Sequence, residues 1–429
     1  MTHRALLVLA IPSIASAMLN HFYRVVDQYF VQWIGVDAQA AVGACTFVLI
    51  ALYSLSVILS AGASPLFARA VGANDIHRQR VILKSALRIS IWISMIFCLT
   101  LILGAPMLAH AVGLTGTANQ AMVDYLFALG MSGALIPLGP LVDGLFIASG
   151  DTKTPMLLQL SSTVLNAGLN ALMIFELDLG LTGVAYASGI SRALCTGTGL
   201  FLMTRRFGLG DSERLIQLKT IKIGAPVSAG VLMYALVYWG LLRWTISPLG
   251  PAVNAALGIG FSALEGVSWP MFSGVMMATS SIIGRALGAN DIEKVNQCIR
   301  VAAPISMVLG SSCALIFFFF GEAFCALFTQ DPAVLKEATC YAKVLAFSQL
   351  FVAFEALSEG ILSGAGDNRY QLWLSLPLNC IRIPLGYYFA VYYGWGAAGV
   401  WWAINISTYT KVLGKWIWIW KGDWRTRPL

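Results

Sequence analysis

Arg69-Ala70-Val71-Gly72-Ala73-Asn74-Asp75-Ile76 returns as Arg285-Ala286-Leu287-Gly288-Ala289-Asn290-Asp291-Ile292, seven identities in eight at an offset of 216 in a chain of 429 residues. Chance does not readily produce that match, so the chain reads as a duplicated half. At the same offset Asp143-Gly144 recurs as Glu359-Gly360 and Gly150-Asp151 as Gly366-Asp367. The register therefore holds across both corners without a gap. Each Gly-Ala-Asn-Asp corner has a plain physical reading: the Gly ends a long helix in the left-handed region, and Asn or Asp caps the next helix.

Composition sets the class. Apolar residues make up 58% of the chain and charged residues 11%, against about 25% charged in an average soluble domain; the mean hydropathy is +0.76. A water-soluble globule is excluded. Crossing a hydrocarbon core takes about 20 apolar residues at helical rise, and such stretches occur near 6–33, 40–67, 80–108, 120–148, 155–177, 181–204, 219–246, 252–284, 296–320, 334–363, 370–393 and 396–420. The expected fold is an all-α polytopic membrane protein with twelve transmembrane helices, in two six-helix pseudo-symmetric lobes around a central cleft. The boundaries are an N-lobe over 1–210, a cytoplasmic linker over 211–218 and a C-lobe over 219–429.

Charge placement fixes the orientation. Arg69, Arg78, Arg80, Lys153, Arg205, Arg206, Arg214, Arg285, Lys294 and Arg369 lie in the connections after even-numbered spans, while the intervening turns hold no Lys or Arg. Cytoplasmic loops collect these residues, so both termini are expected in the cytoplasm, with Lys421, Arg425 and Arg427 in the tail. An even number of spans per half gives the halves one orientation and a pseudo-axis along the membrane normal.

Other function classes are excluded in turn. The net charge of +7 comes from short loops at membrane level, which suits orientation and contact with anionic lipids and not nucleic acid. The apolar N-terminus ending in Ala15-Ser16-Ala17 resembles a cleaved leader, but its partner over 224–232 is internal, so it reads as a retained span. Eight scattered cysteines without a C-x-x-C pair support neither a disulfide framework nor a zinc site, and the four histidines have no ligand spacing. The loops after Gly150 and Gly366 lack the nucleotide-binding pattern. No catalytic set and no transition-metal site is expected.

An ionisable group at mid-membrane is costly enough to be a functional candidate. Asp27 is the clearest, in Tyr23-Arg24-Val25-Val26-Asp27-Gln28. Arg24 stands three residues before it and pairs with it in the structural reading; in the functional reading Arg24 snorkels away. Aligning Pro12 with Pro226 places Leu241 opposite Asp27, so the carboxylate belongs to one lobe only and is not required by the scaffold. Removal from water disfavours the charged form of an acid, which suits a group that takes up and releases a proton. Asn166 and Asn170 share a helical face at i and i+4 and, with Ser188, offer oxygens that also suit a hard monovalent cation; interhelical bonding is the alternative reading for the two asparagines.

The remaining acids divide by symmetry. Asp143 and Glu359 occupy matching positions and read as structural or gating residues. Glu265 and Glu355 have no acidic counterpart and form a candidate second acidic site, with Arg192, Arg243 and Arg382 as candidate counter-ions. Tyr234, Tyr238 and Trp269 are expected in the wall of a substrate cavity, and the tryptophans near the end of the chain at the membrane interface.

Together these features resemble the multidrug and toxic compound extrusion family, MATE: two six-helix halves, paired Arg-Ala-x-Gly-Ala-Asn-Asp and Gly-Asp corners, and Tyr23 one turn before Asp27. Glu265 resembles an eighth-helix Glu of the branch with the DNA-damage-inducible members. The resemblance implies a cytoplasmic inner-membrane antiporter, monomeric and without a bound cofactor, that expels amphipathic or cationic small molecules in exchange for H+ or Na+. It implies roles for Asp27, Asn166, Asn170, Tyr23 and Ser188 in ion coupling and for Pro12 as a hinge. Asn170 stands where several prokaryotic members carry a second Asp, which favours protons. The alternatives are a flippase for lipid or lipid-linked oligosaccharide, expected to have extra spans and a strongly basic cavity, and a membrane-embedded enzyme, expected to have a nucleophile and base.

Overall fold

The two Gly-Ala-Asn-Asp corners are built alike, but the left-handed residue is the asparagine. Asn74 and Asn290 have φ of 55° and 56°, while Gly72 and Gly288 are the last residues of their helices. This corrects the sequence expectation, and the reason is local: a short polar side chain tolerates that region, so the Gly is free to continue the helix. Asp75 and Asp291 then accept from the backbone N–H of Arg78 and Lys294, both at 2.9 Å, as N-caps do.

The structure is a computed structural model that describes residues 3–112, 116–329 and 331–425; Arg427 lies outside the described residues. Among the described residues twelve helical spans follow in order. The first three are His3–Val31, Val36–Gly72 and Ile76–Val112, and the fourth is broken into Gly116–Ser132, Ile136–Leu138 and Gly139–Ser149. The fifth, Lys153–Ala171, ends in a π turn over Leu172–Glu176; the sixth is Gly180–Phe207; the seventh, Arg214–Leu241, ends in a π turn over Leu242–Ile246. The eighth joins Pro251–Ile259 to Gly266–Gly288 through a π turn over Gly260–Glu265, and the ninth and tenth are Ile292–Ala326 and Pro332–Ala365. The eleventh comprises Asn368–Cys380, Arg382–Tyr387 and a π turn over Tyr388–Tyr392, and the twelfth is Ala397–Lys421.

Among the described residues, seven helices are singly long and apolar enough to cross a membrane, and the fourth span qualifies as a pair bent by 66°. The others are interrupted by π turns or diluted by residues such as Arg192, Lys411 and Lys415. The duplication reaches the backbone: the π turns that close the fifth and eleventh spans occupy matching positions, as do the left-handed Gly150 and Gly366.

Chain contacts form two units, Ala15–Ser228 and Met1–Ile14 with Ala229–Leu429. Each division falls within a helix, two residues after Pro12 or Pro226. The expected lobes, 1–210 and 219–429, differ from these units by the ends of the first and seventh spans. Close glycine contacts seat both ends: a Cβ on Gly224 would run into the backbone of Ile58, and one on Gly274 into Ile14. Leu6 and Ala10 accordingly belong to a core with Val275, Ala278, Ile282 and Leu357.

The aromatic residues of the twelfth span do not form a single belt. Trp401 is fully buried and meets Tyr341 edge-on with ring centroids 4.8 Å apart. Trp418 stacks on Tyr370 and donates to Asp367 at 2.9 Å. Trp420 is 90% exposed.

Candidate functional site

The fifth span brings Asn166 and Asn170 onto one face, both fully buried, and the first span sets Asp27 against them. Asn170 Nδ2 donates to Asp27 Oδ1 at 2.9 Å and Ser188 Oγ of the sixth span donates to Asp27 Oδ2 at 3.0 Å. Asn166 links the two donors: its Nδ2 donates to Ser188 Oγ at 3.2 Å, and its Oδ1 accepts from Asn170 Nδ2 at 3.2 Å. Both carboxylate oxygens are thus held by neutral groups. Asn170 Oδ1 is buried with no hydrogen-bond partner among the described residues.

Tyr23 lies one turn before Asp27, almost wholly buried. Its hydroxyl is 2.9 Å from Ser191 Oγ and donates to the Ser188 carbonyl at 3.5 Å, while the Arg192 guanidinium carbon sits 4.1 Å from its ring centroid. All of these residues belong to the unit of residues 15–228. The structural reading of Asp27 as half of an ion pair with Arg24 is not realised: among the described residues the ion pairs are Arg206–Asp151, Lys411–Glu355, Lys415–Glu355 and Lys415–Glu359. Five residues read from the sequence as a site, Tyr23, Asp27, Asn166, Asn170 and Ser188, do come together. Pro12 sits inside the continuous first helix, where it lacks the N–H that would bond back one turn.

The unit containing residues 229–429 is organised differently. Glu355 accepts from Lys411 Nζ at 2.7 Å and from Lys415 Nζ at 3.2 Å, and Lys415 also donates to Glu359 at 2.8 Å. Lys415 is fully buried. The counter-ions of Glu355 are therefore lysines of the twelfth span, which sequence reasoning missed. A signal was present: Glu355 and Glu359 are four residues apart, and so are Lys411 and Lys415, giving two charged faces of one spacing. Glu265 instead accepts from the Tyr341 hydroxyl at 2.6 Å.

Arg382 donates to Ser407 Oγ at 2.9 Å, Thr408 Oγ1 at 3.2 Å and the Tyr238 hydroxyl at 3.5 Å. Tyr238 is buried and Tyr234 exposed, their ring centroids 4.6 Å apart. Trp269 is exposed, and among the described residues no ring contact joins it to them.

Outside the spans, Asp151 anchors the Gly150 corner. Burial alone would raise its carboxyl, but bonds from the Thr154 amide and hydroxyl and from Arg206 hold it below its usual value. All eight cysteines are free thiols.

A sequence model of the MatE family matches residues 12–172 and 226–388, one match per half. A probable multidrug resistance protein NorM of Thermotoga maritima is 23% identical over 445 residues, covering 99% of this chain and 94% of the relative. An FAD transporter of Shewanella oneidensis is also 23% identical, over 395 residues, 89% of this chain and 86% of the relative. The solved outward-facing structure of a multidrug resistance MATE family transporter has the same fold, with a TM-score of 0.92 at 21% identity, covering 99% of this chain and 97% of that one.

Proposed function

The chain belongs to the MatE family of membrane transporters, and from that membership we propose that it is a proton-coupled multidrug antiporter of the cytoplasmic inner membrane. It exports amphipathic or cationic compounds by alternating access, with both termini in the cytoplasm. One observation carries the reading: Asp27 is a carboxylate inside a span whose oxygens are bonded to Asn170 and Ser188 and to no cation. An acid so held gains or loses a proton without breaking an ion pair.

Protonation turns one carboxylate oxygen from acceptor to donor. The bonds from Asn170 and Ser188 cannot both persist, and Asn166 and Tyr23, tied to Ser188, repack with them. The first helix bends most readily near Pro12. Exchange follows if drug and proton prefer different states of the protein, because a ligand shifts an equilibrium only by its differential affinity.

A second coupling ion is supported by a specific feature. The buried, unpartnered Asn170 Oδ1 belongs to the amide whose nitrogen bonds Asp27 and Asn166, and a hard cation takes oxygen ligands of this kind. Ethidium accumulation in proteoliposomes of oriented wild-type protein, under pH and sodium gradients imposed separately, decides between them. Accumulation with the pH gradient alone supports the proton; accumulation with sodium alone replaces it; accumulation with neither overturns both.

A further inference from the structure

The second unit repeats the geometry around Asp27 with different chemistry. Asp27 and Asn170 touch in the first half; Leu241 and Gly386 stand at the matching positions, and a Cβ built on Gly386 would lie 3.3 Å from Leu241 Cδ1. The approach is kept, while the acid and its amide are gone. At the position of Asn166 stands Arg382, only 3% exposed. It donates to Ser407, Thr408 and Tyr238 and forms no ion pair among the described residues.

A buried charge is ordinarily paired, and three hydroxyls supply no charge. Glu355 and Glu359 are taken by Lys411 and Lys415, and Glu265 accepts from Tyr341. The three bonds also use only three of the five N–H donors of a guanidinium, so two remain. The bond to Tyr238, at 3.5 Å, is beyond the usual range and is the weakest of the set.

A row of uncommitted polar groups leads to this cation. Gln371, Ser375 and Asn379 recur every four residues along Asn368–Cys380, and Arg382 follows three residues later. Backbone bonds from Ile381 to Pro377 and from Leu385 to Ile381 carry the helical path through the break. Residues three and four apart share a helix face, so the four form one stripe. Gln371 Oε1, Ser375 Oγ and Asn379 Oδ1 are buried with no hydrogen-bond partner among the described residues, and Asn379 as a whole is 9% exposed.

The flanks of the stripe fix its direction. Leu372 on one side reaches Gly230 of the seventh span, and Leu374 on the other packs on Gly414 of the twelfth. The stripe therefore faces the seam between those spans, and Arg382 bonds to both of them through Tyr238 and Ser407. Gly230 adds no side chain to the seam; Tyr234 and Tyr238, four and eight residues further along the same face, add their paired rings.

We propose that this seam binds the acidic end of an amphipathic organic anion, a carboxylate or a phosphate flanked by hydroxyl groups. Either group presents oxygens that a guanidinium fork meets with two N–H donors, and the Tyr238 hydroxyl gives way to them. The ligand then supplies the counter-charge that hydroxyls cannot. Asn379, Ser375 and Gln371 each offer a donor and an acceptor, which suits the flanking hydroxyls, and the tyrosine rings lie against the apolar body. The site falls wholly within residues 229–429 and requires neither Asp27 nor a coupling ion; it rests on the exporter reading only in taking the anion as cargo.

Three ligands with one aromatic body test the assignment: 4-methylumbelliferyl glucuronide, the glucoside, which has a hydroxymethyl in place of the carboxylate, and 4-methylumbelliferyl phosphate, which has no sugar. In equilibrium dialysis with the purified full-length protein, the glucuronide or the phosphate is expected to bind about tenfold or more tighter than the glucoside, and the tighter of the two tells a carboxylate ligand from a phosphate. Arg382→Gln is expected to abolish that preference, and Arg382→Lys, which keeps the charge without the fork, to retain part of it. Asn379→Ala is expected to weaken both glycosides several-fold and to leave the phosphate unchanged. Thermal unfolding checks the fold of each variant; if Arg382→Gln does not fold, Arg382→Lys and Asn379→Ala carry the test. Equal binding of all three ligands by wild type, a preference that survives Arg382→Gln in full, or no effect of Asn379→Ala overturns the proposal. Ethidium counterflow by the wild type separates the two readings: ethidium carried without an anion preference removes the anion site alone, and an anion preference without ethidium carried removes the multidrug reading and leaves the site.

Discussion

The two units place acids in the same membrane-spanning scaffold and treat them in opposite ways. In one, Glu355 and Glu359 are clamped by Lys411 and Lys415 at 2.7–3.2 Å; in the other, Asp27 is held by an amide and a hydroxyl. Matching positions differ in kind as well. Arg382 stands 216 residues after Asn166 and Gly386 after Asn170, so the second unit has a guanidinium and a glycine where the first has two amides. A buried ion network resists change because every charge depends on another. A carboxylate among neutral donors loses its charge at far lower cost. The duplicated fold thus holds its acids by ion pairs in one unit and by neutral donors in the other.

Breaking the clamp should have the largest effect on stability. Glu355→Gln leaves Lys411 and Lys415 short of a counter-charge inside the protein, and loss of one partner of a buried pair costs about 3–5 kcal/mol. Thermal unfolding in detergent should show a clearly lowered midpoint, and an unchanged one would mean the network is no clamp. Asn170→Ala probes the other side of the comparison. It removes a donor to a carboxylate, worth about 1.5–3 kcal/mol, so the protonation midpoint of Asp27, followed by the infrared carboxyl band that Asp27→Asn removes, should rise by about one to two pH units.

Gly260→Ala tests how the second unit seats its remaining acid. A Cβ there would collide with the Tyr341 ring, which is held by Glu265 and Trp401. Overpacking of this kind costs about 1–3 kcal/mol, measurable in the same unfolding assay. The smallest effect is expected at the exposed corner. Asp151→Asn removes the 2.7 Å pair with the half-exposed Arg206, worth about 0.5 kcal/mol. Because the Asp151 carboxyl is held below its usual value, its contribution is complete above an unfolded value of about 3.9 and disappears as pH falls below it. The wild-type and variant unfolding curves should therefore converge in acid.

Much of this contrast was legible in the sequence. The repeat fixed the register, the register isolated Asp27 as an acid of one half, and the i, i+4 spacing of Asn166 and Asn170 gave its neighbours. Other features were not legible, for physical reasons. A π turn such as Leu172–Glu176 adds one residue to the hydrogen-bond ladder without altering hydropathy. The pairing of Lys411 and Lys415 with Glu355 and Glu359 depends on the register between two helices, which periodicity within each helix does not contain. The left-handed position fell to Asn74 because Asn and Gly both tolerate it, and only the backbone distinguishes them. The Tyr23–Ser191 contact and the seat of Arg192 on the Tyr23 ring depend on side-chain direction at a helix crossing.

The central claim is that Asp27 couples the proton to transport, and ethidium accumulation against its gradient tests it most directly. Wild-type and Asp27→Asn proteins are compared in proteoliposomes under an imposed pH gradient, with gradient-free counterflow as the measure of folding and substrate binding. The account predicts that Asp27→Asn falls to the level of empty liposomes in pH-driven accumulation while counterflow persists. Full pH-driven accumulation by Asp27→Asn would contradict it.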